Sequence, residues 1–292
     1  MTIVEELINT MRKSFGKRDI TVEDIRIGVF YTAAKLSTGN AGVAFTPRDL
    51  ADTVCCPRSA AKMPASGKLK GKEALELIKL ADNDNSMQRS VGIAVLNALS
   101  ALLIEEQDIQ GARVKKGADA LDVIEITSRD TLAMVGAFVP FIKELKGRPN
   151  DLYVIDKHPQ ALKEDERDLW RSPASMADIL PQADIVIITG SSMVEGGLDE
   201  ALSACTKARE IVLAGPTAST WPEPFFKRGV TVMAGISIND ADRLLQVVSE
   251  GGSGYFFTGF ARKIAIVRDK ANVSQTRHRH PLFRFNHTPK SG

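Results

Sequence analysis

ADIVIITG at residues 183–190 decides the fold class of this chain, together with REIVLAGP at residues 209–216. Both runs have continuously apolar interiors, which is typical of strands that are buried on both faces of a parallel sheet. A glycine ends the first run and a Gly-Pro pair ends the second, and these residues mark turns. The two runs therefore predict strands of an α/β sheet that is covered on both sides.

Strand and helix patterns alternate around these two runs, from about residue 130 to residue 269. Six strands are predicted, at residues 131–136, 151–157, 183–190, 209–216, 231–238 and 263–269. Helices are predicted between them, at residues 140–146, 175–180, 198–207, 222–228 and 240–249. This alternation predicts a Rossmann-like, mainly parallel, doubly wound α/β sheet with right-handed crossovers.

The first part of the chain has a different pattern. Its segments are a helix at residues 1–16, three strands within 20–45, a loop at 51–72 and helices at 72–81 and 86–106, the last capped by Ser86. We expect a smaller α+β domain at 1–118, the Rossmann-like domain at 119–269 and a basic extension at 270–292. The small residues Gly92, Ala94 and Ala98 indicate close packing on the last helix, which is also compatible with a homodimer interface.

Composition and charge limit the classes of protein that fit this chain. Of its 292 residues, 43% are hydrophobic, and no apolar run reaches the roughly 20 residues of a membrane helix. The three cysteines do not form a disulfide framework. Net charge is +2, and the five basic residues of 270–292 leave the rest at −3. We expect no nucleic-acid or membrane partner and a cytoplasmic location.

Ligands of such sheets bind beyond the carboxyl ends of the strands, at the point where the strand order reverses. Glycine there lets backbone N–H groups approach a ligand, and hydroxyl groups can donate to anionic oxygens. The candidate binding residues at these positions are Gly136, Phe138, Asp156, Thr189, Gly190, Ser191, Gly215, Pro216 and Thr217.

The first strand is followed by GAFVPF, which lacks the G-x-G-x-x-G motif, and Phe138 would occupy the space of a pyrophosphate. Ordinary NAD binding is therefore not expected, whereas a nucleoside-type ligand such as S-adenosylmethionine stays open. Asp156 could accept a ribose hydroxyl or cap a turn. His158 is the sole histidine before residue 270 and the candidate general acid/base, although a surface histidine fits equally well.

Cys55 and Cys56 are adjacent and are flanked by the cationic residues Arg58 and Lys62. Nearby positive charge lowers a thiol pKa, and thiolates prefer soft and borderline metals. Two ligands do not make a metal site, and no second cysteine cluster accompanies them. A metal site and a pair of small structural residues both stay open.

Several segments together resemble the putative heavy-metal chelation family. They are SVGIAVLNALSAL (90–102), LAMVGAFVPFIKEL (132–145), ADIVIITGSSMVEGGLDEAL (183–202) and IVLAGPTASTWPEPFFKRGVTVMAGISIND (211–240). The last segment carries the most specific part of the resemblance. The similarity extends over nearly the whole chain before residue 270.

The resemblance implies an N-terminal domain similar to that of enolase, followed by a Rossmann-like domain. It also implies a cleft between them that binds a heavy metal or a small metal chelate. Val54-Cys55-Cys56 is similar to a Gly-Cys-Cys element of some members, with the glycine missing, so Cys55 and Cys56 are the candidate metal ligands. Two other hypotheses are an enzyme with a small anionic or nucleoside-type ligand, and a non-catalytic module whose basic extension binds a partner.

Overall fold

The computed structural model describes residues 1–47 and 63–269. Its α-helices are α1 (Ile3–Phe15), α2 (Ala74–Leu77), α3 (Ser86–Glu106), α4 (Val139–Leu145), α5 (Met176–Ile179), α6 (Ser192–Glu195), α7 (Leu198–Ala204), α8 (Glu223–Phe226) and α9 (Ala241–Ser249). Its strands are β1 (Val22–Ile27), β2 (Tyr31–Leu36), β3 (Ala41–Phe45), β4 (Ala112–Lys116), β5 (Leu132–Val135), β6 (Leu152–Ile155), β7 (Trp170–Arg171), β8 (Ile185–Thr189), β9 (Glu210–Ala214), β10 (Val232–Ile238) and β11 (Ala261–Arg268).

The strands form two sheets. The smaller is antiparallel, with the order β1-β2-β3, and the larger has the order β4-β11-β10-β9-β8-β5-β6-β7. Strands β5 to β10 run parallel, while β11 and β4 are antiparallel at one edge. The order reverses between β5 and β8, as in a Rossmann sheet. The predicted fold class is confirmed.

Strand β4 lies before residue 118, on the N-terminal side of the predicted domain boundary, yet it pairs with β11 in the larger sheet. Its sequence, ARVKK, is mostly charged and has no apolar alternation. Strand β7 has two residues, Trp170 and Arg171. Neither strand is predicted from the sequence, because neither carries an apolar period long enough to be recognised.

Helix α3 is the central helix of the N-terminal domain and is buried on nearly all sides. The predicted cap at Ser86 is wrong: Asn85 is the N-cap, and its side chain accepts a 3.0 Å hydrogen bond from the backbone N–H of Gln88. By length and composition α3 is the one helix among residues 1–47 and 63–269 that could cross a membrane, but most of it is buried inside the protein.

The small residues of α3 are used for packing within the chain. A methyl group on Gly92 would lie 2.0 Å from the backbone nitrogen of Ala81. Strand β3 approaches the next turn equally closely, because a methyl group on Gly42 would lie 2.3 Å from the nitrogen of Ala98. The expected close packing of α3 is present. The helix packs against the turn that follows α2 and against strand β3.

Alternating side chains of the central strands enter two different cores. Val186 and Ile188 belong to a cluster that continues into α1 and α3, whereas Ile185 and Ile187 pack with Phe141 on the opposite face. Both faces of the sheet are therefore covered, as the apolar runs predicted. Because one cluster spans both sheets, the N-terminal domain shares its core with the Rossmann-like domain.

An ion pair between an exposed lysine and a buried glutamate behind α4 gives a pH-dependent prediction. Nζ of Lys146 lies 2.7 Å from Oε1 of the buried Glu166, and this hydrogen bond lowers the pKa of Glu166 from its usual 4.5. A carboxylate whose pKa is lower in the folded than in the unfolded protein adds to the free energy of unfolding at pH values above its unfolded pKa. This contribution is lost as the pH falls through the folded pKa.

We therefore expect Lys146→Met to lower the urea midpoint at neutral pH and to have a smaller effect once Glu166 is protonated. Urea unfolding at several pH values measures this difference. Lys143→Met, on an exposed position of the same helix, is the control and should change little. An equal loss at neutral and acidic pH would contradict the assigned role of the ion pair.

Candidate functional site

The loops after β5 and β8 meet at the point where the strand order reverses. Gly136 has a φ of +88°, and a methyl group there would lie 2.7 Å from Cγ2 of Thr189. Its backbone N–H donates to the carbonyl oxygen of Ile155 at 2.8 Å. The structure therefore requires glycine at residue 136, both for its backbone conformation and for the contact with Thr189.

Phe138 lies at the N-terminus of α4 and is half-buried. Its ring stacks on that of Phe141, with 5.4 Å between the centroids. The same ring also borders Gly215, whose added methyl group would lie 3.5 Å from it. Because β8 lies between β5 and β9, the ring of Phe138 extends past the end of β8.

Asp156 uses both carboxylate oxygens within the protein. Oδ2 accepts from the backbone N–H of Ala137 at 2.9 Å, and Oδ1 accepts from that of His158 at 2.8 Å. These bonds tie the loop after β5 to the loop after β6. They are the contacts of the turn-capping interpretation, and each carboxylate oxygen keeps a second lone pair that could accept a ribose hydroxyl.

A polar rim lies beside these loops and consists of Lys157, His158, Thr189, Ser191 and Glu195. Nζ of Lys157 lies 3.2 Å from Oε1 of Glu195, and Oγ of Ser191 donates to Oε2 of Glu195 at 3.4 Å. The hydroxyl oxygens of Thr189 and Ser191 are 3.1 Å apart. His158 is exposed, and its imidazole has no hydrogen-bond partner within the described residues. The rim therefore presents hydroxyl groups beside one charged pair.

Lys157 and Glu195 are members of the rim that were not among the sequence-based candidates. Lys157 directly precedes His158, and Glu195 lies one helical turn after Ser191. Those spacings were visible in the sequence, but the contact between the two residues depends on the packing of β6 beside α6.

Thr217, at the end of β9, is buried and is bound to the N-terminal domain. Its Oγ1 accepts from the backbone N–H of Phe45 at 2.9 Å, and its carbonyl accepts from Nδ2 of Asn97 at 2.9 Å. The same Nδ2 donates to the carbonyl of Val43 at 2.8 Å. Thr217 therefore joins the strand-end loop to β3 and α3.

Further hydrogen bonds lie beside these residues. We define the interdomain seam as Phe45, Ser90, Asn97, Ser100 and Thr217. Oγ of Ser90 donates to the carbonyl of Phe45 at 2.7 Å, and the hydroxyls of Ser100 and Thr220 are 3.1 Å apart. Oδ1 of Asn97 is buried without a hydrogen-bond partner among the described residues. The orientation of the two domains is thus fixed by buried hydrogen bonds.

A group of aromatic side chains, which we call the aromatic wall, lies next to Pro216. Tyr31 borders Gly254, which also borders Pro216, and the Tyr31 ring lies 5.3 Å from that of Phe257. Burial raises the pKa of Tyr31 to about 12. The neighbouring side chains of Tyr255 and Phe256 are exposed by 74% and 66%. This wall presents aromatic rather than metal-ligating groups.

The predicted metal ligands Cys55 and Cys56 lie outside the described residues. The described chain before them ends in Thr46 and Pro47, which are buried directly after the seam residue Phe45. Residues 1–47 and 63–269 contain no group of three or more His, Cys, Asp or Glu side chains that could hold a metal. Cys205 is buried at the end of α7, and burial raises its pKa to about 12.

The fold and the strand-end geometry define a two-domain α/β protein whose N-terminal domain is fastened to the strand ends of a Rossmann-like sheet. Two family models match the chain, at residues 8–100 and 119–267, and both carry the description "Putative heavy-metal chelation". The chain belongs to this family, and the resemblance seen in the sequence is confirmed.

The chain is also similar to proteins of three other organisms. An uncharacterised protein of Methanocaldococcus jannaschii is 30% identical over 196 residues, which cover 66% of this chain and 71% of that protein. A family crystal structure from Pyrococcus horikoshii, of unknown function, has a TM-score of 0.73 at 24% identity and covers 91% of this chain and 100% of its own. Another, from Desulfitobacterium hafniense, has a TM-score of 0.67 at 20% identity, with 91% and 98% covered. The two structures share the fold.

Proposed function

We propose that this protein binds a heavy metal, as a small chelate, in the cleft between its two domains. The family description names heavy-metal chelation, and the chain carries two adjacent cysteines after β3. The observation that carries the proposal is the hydrogen bond from the N–H of Phe45 to Oγ1 of Thr217. It anchors the start of the cysteine-containing segment at the strand ends.

The donor groups of the described residues fit a chelate better than a bare metal ion. Soft metals prefer thiolate ligands, whereas the rim offers the hydroxyls of Thr189 and Ser191 and the charged pair of Lys157 and Glu195. Such groups hydrogen-bond to oxygen and nitrogen atoms of a small molecule. In this proposal the rim holds the chelator, and Cys55 and Cys56 supply thiolates to the metal.

The length of the chain permits this arrangement. Eight residues lead from Pro47 to Cys55, and an extended chain of that length spans up to about 28 Å. The ends of β9 and β5 are separated by one strand, which places them about 10 Å apart. The reach of the segment therefore exceeds the distance between the ends of β9 and β5.

Anaerobically purified protein should contain a bound heavy metal, and the double variant Cys55→Ser/Cys56→Ser should lose it because serine supplies no thiolate. Metal analysis by mass spectrometry measures this loss. Cys205→Ser is the matched control, because Cys205 is buried away from the strand ends, and it should retain the metal. Unchanged metal content in the double variant would remove Cys55 and Cys56 from the proposal.

A further inference from the structure

Strand β4 forms one edge of the larger sheet and pairs with β11 alone. The N–H of Gly117 donates to the carbonyl of Lys263, and the N–H of Asp269 donates to that of Gly111. Hydrogen-bonded positions alternate along an antiparallel pair, so Arg113 and Lys115 also bond to β11. The N–H and C=O groups of Val114 and Lys116 therefore point away from the sheet.

The same edge carries positive charge that the described chain does not neutralise. Lys115, Lys116 and Arg262 are exposed and have no ion-pair partner within residues 1–47 and 63–269. Their neighbours Arg113 and Lys263 are paired, with Asp269 at 2.9 Å and with Asp119 at 2.6 Å. Open backbone groups and unpaired cations thus coincide at this edge of the sheet.

The charge of this edge determines which occupant fits it. Two copies of β4 in contact would bring the lysines of one copy close to those of the other, and like charges across a strand pair are destabilising. Residues 270–292, which follow β11, hold five basic residues and no acidic one, so they have the same sign. An acidic strand is complementary both to the backbone groups and to the lysines.

We propose that β4 is a docking edge for an extended acidic peptide segment of a partner protein. The segment adds to the sheet as a further strand, and its backbone bonds to Val114 and Lys116. Lys115 lies on one face of the sheet, and Lys116 and Arg262 lie on the other, so carboxylates on both faces of the segment pair with them. Val114, which is 40% exposed, supplies an apolar contact on the same strand.

Binding of a labelled peptide to the full chain tests this proposal. The probe is a capped peptide of repeated Glu-Glu-Thr, which presents glutamates on both faces of a strand, and fluorescence anisotropy measures its affinity. Opposite charges across a strand pair are favourable and like charges are not, so Lys115→Glu/Lys116→Glu should weaken binding by about tenfold or more. Lys17→Glu/Lys143→Glu reverses two exposed charges elsewhere and should leave the affinity unchanged.

Two further measurements separate strand addition from simple charge attraction. In NMR hydrogen exchange, the peptide should slow the amides of Val114 and Lys116. Val114→Pro keeps every charge and removes an outward-pointing N–H, so it should also weaken binding. If the charge-reversal variant fails to fold, this variant still tests the proposal.

Four results would overturn the proposal. They are no binding of the acidic peptide, equal binding of a version interrupted by proline, tighter binding of single-stranded DNA at the same lysines, and a dimer of this chain that the charge reversal disrupts. The proline-interrupted peptide would indicate charge alone, and the last two would assign the edge to another occupant.

Discussion

Asn97→Leu should lower the free energy of unfolding by about 3 kcal/mol, because it leaves two buried carbonyl groups without their donor. Nδ2 of Asn97 donates to the carbonyls of Val43 and Thr217, at 2.8 and 2.9 Å. Leucine has a similar volume, so the loss should come from hydrogen bonding more than from a cavity. Removal of the unpaired Oδ1 offsets a part of it.

Urea unfolding of the purified variants measures this loss. Asn9→Leu is the control, since Asn9 is exposed on α1, and it should change the free energy of unfolding by less than about 0.5 kcal/mol. In Asn97→Leu, the amide of Phe45 should also exchange faster than in the wild type, because its acceptor Thr217 is held less firmly. A stability loss as small as that of Asn9→Leu would contradict the account of the interdomain seam.

Gly92→Ala should lower the free energy of unfolding by about 3 kcal/mol, at the upper end of what overpacking usually costs. The new methyl group would lie 2.0 Å from the nitrogen of Ala81 and 2.5 Å from the carbonyl carbon of Leu80. Both atoms belong to the backbone, so they cannot move aside by rotating a side chain. The overlap outweighs the roughly 1 kcal/mol that alanine gains over glycine within a helix.

Thermal and urea unfolding test this prediction against Gly147→Ala. No atom lies within 4 Å of a methyl group on Gly147, so this control should be neutral or slightly stabilising. If Gly92→Ala were as stable as the wild type, α3 would not pack against Ala81 as the structure shows. The packing of the N-terminal domain would then need revision.

The sheet could be predicted because its strands are continuous apolar runs. Strand β8 was predicted at residues 183–190 and is observed at Ile185–Thr189. Strands β4 and β7 were missed because one is mostly charged and the other has two residues. The sequence pattern predicts the cap of α3 one residue too late, since asparagine and serine are both good caps and only the structure shows that the Asn85 side chain accepts the bond.

The strand-end positions could also be predicted, because parallel strands place their carboxyl ends on one side of a sheet. The hydrogen bonds that the strand-end residues make could not be predicted. Asn97 and Thr217 are 120 residues apart, and nothing local to either residue indicates their contact. The signal in the sequence was the polar side chain of Asn97 within the apolar helix α3, which indicates a buried hydrogen-bond partner. The expected homodimer, cytoplasmic location and domain boundaries stay predictions.

Cys55 and Cys56 are the proposed thiolate ligands of a heavy metal at the strand ends. Titration of the anaerobic full chain with Cd²⁺, followed by thiolate-to-metal charge-transfer absorbance, tests this proposal. We predict a saturable absorbance in the wild type and in Cys205→Ser, and none in Cys55→Ser/Cys56→Ser. The same absorbance in the double variant, or none in the wild type, would contradict the claim.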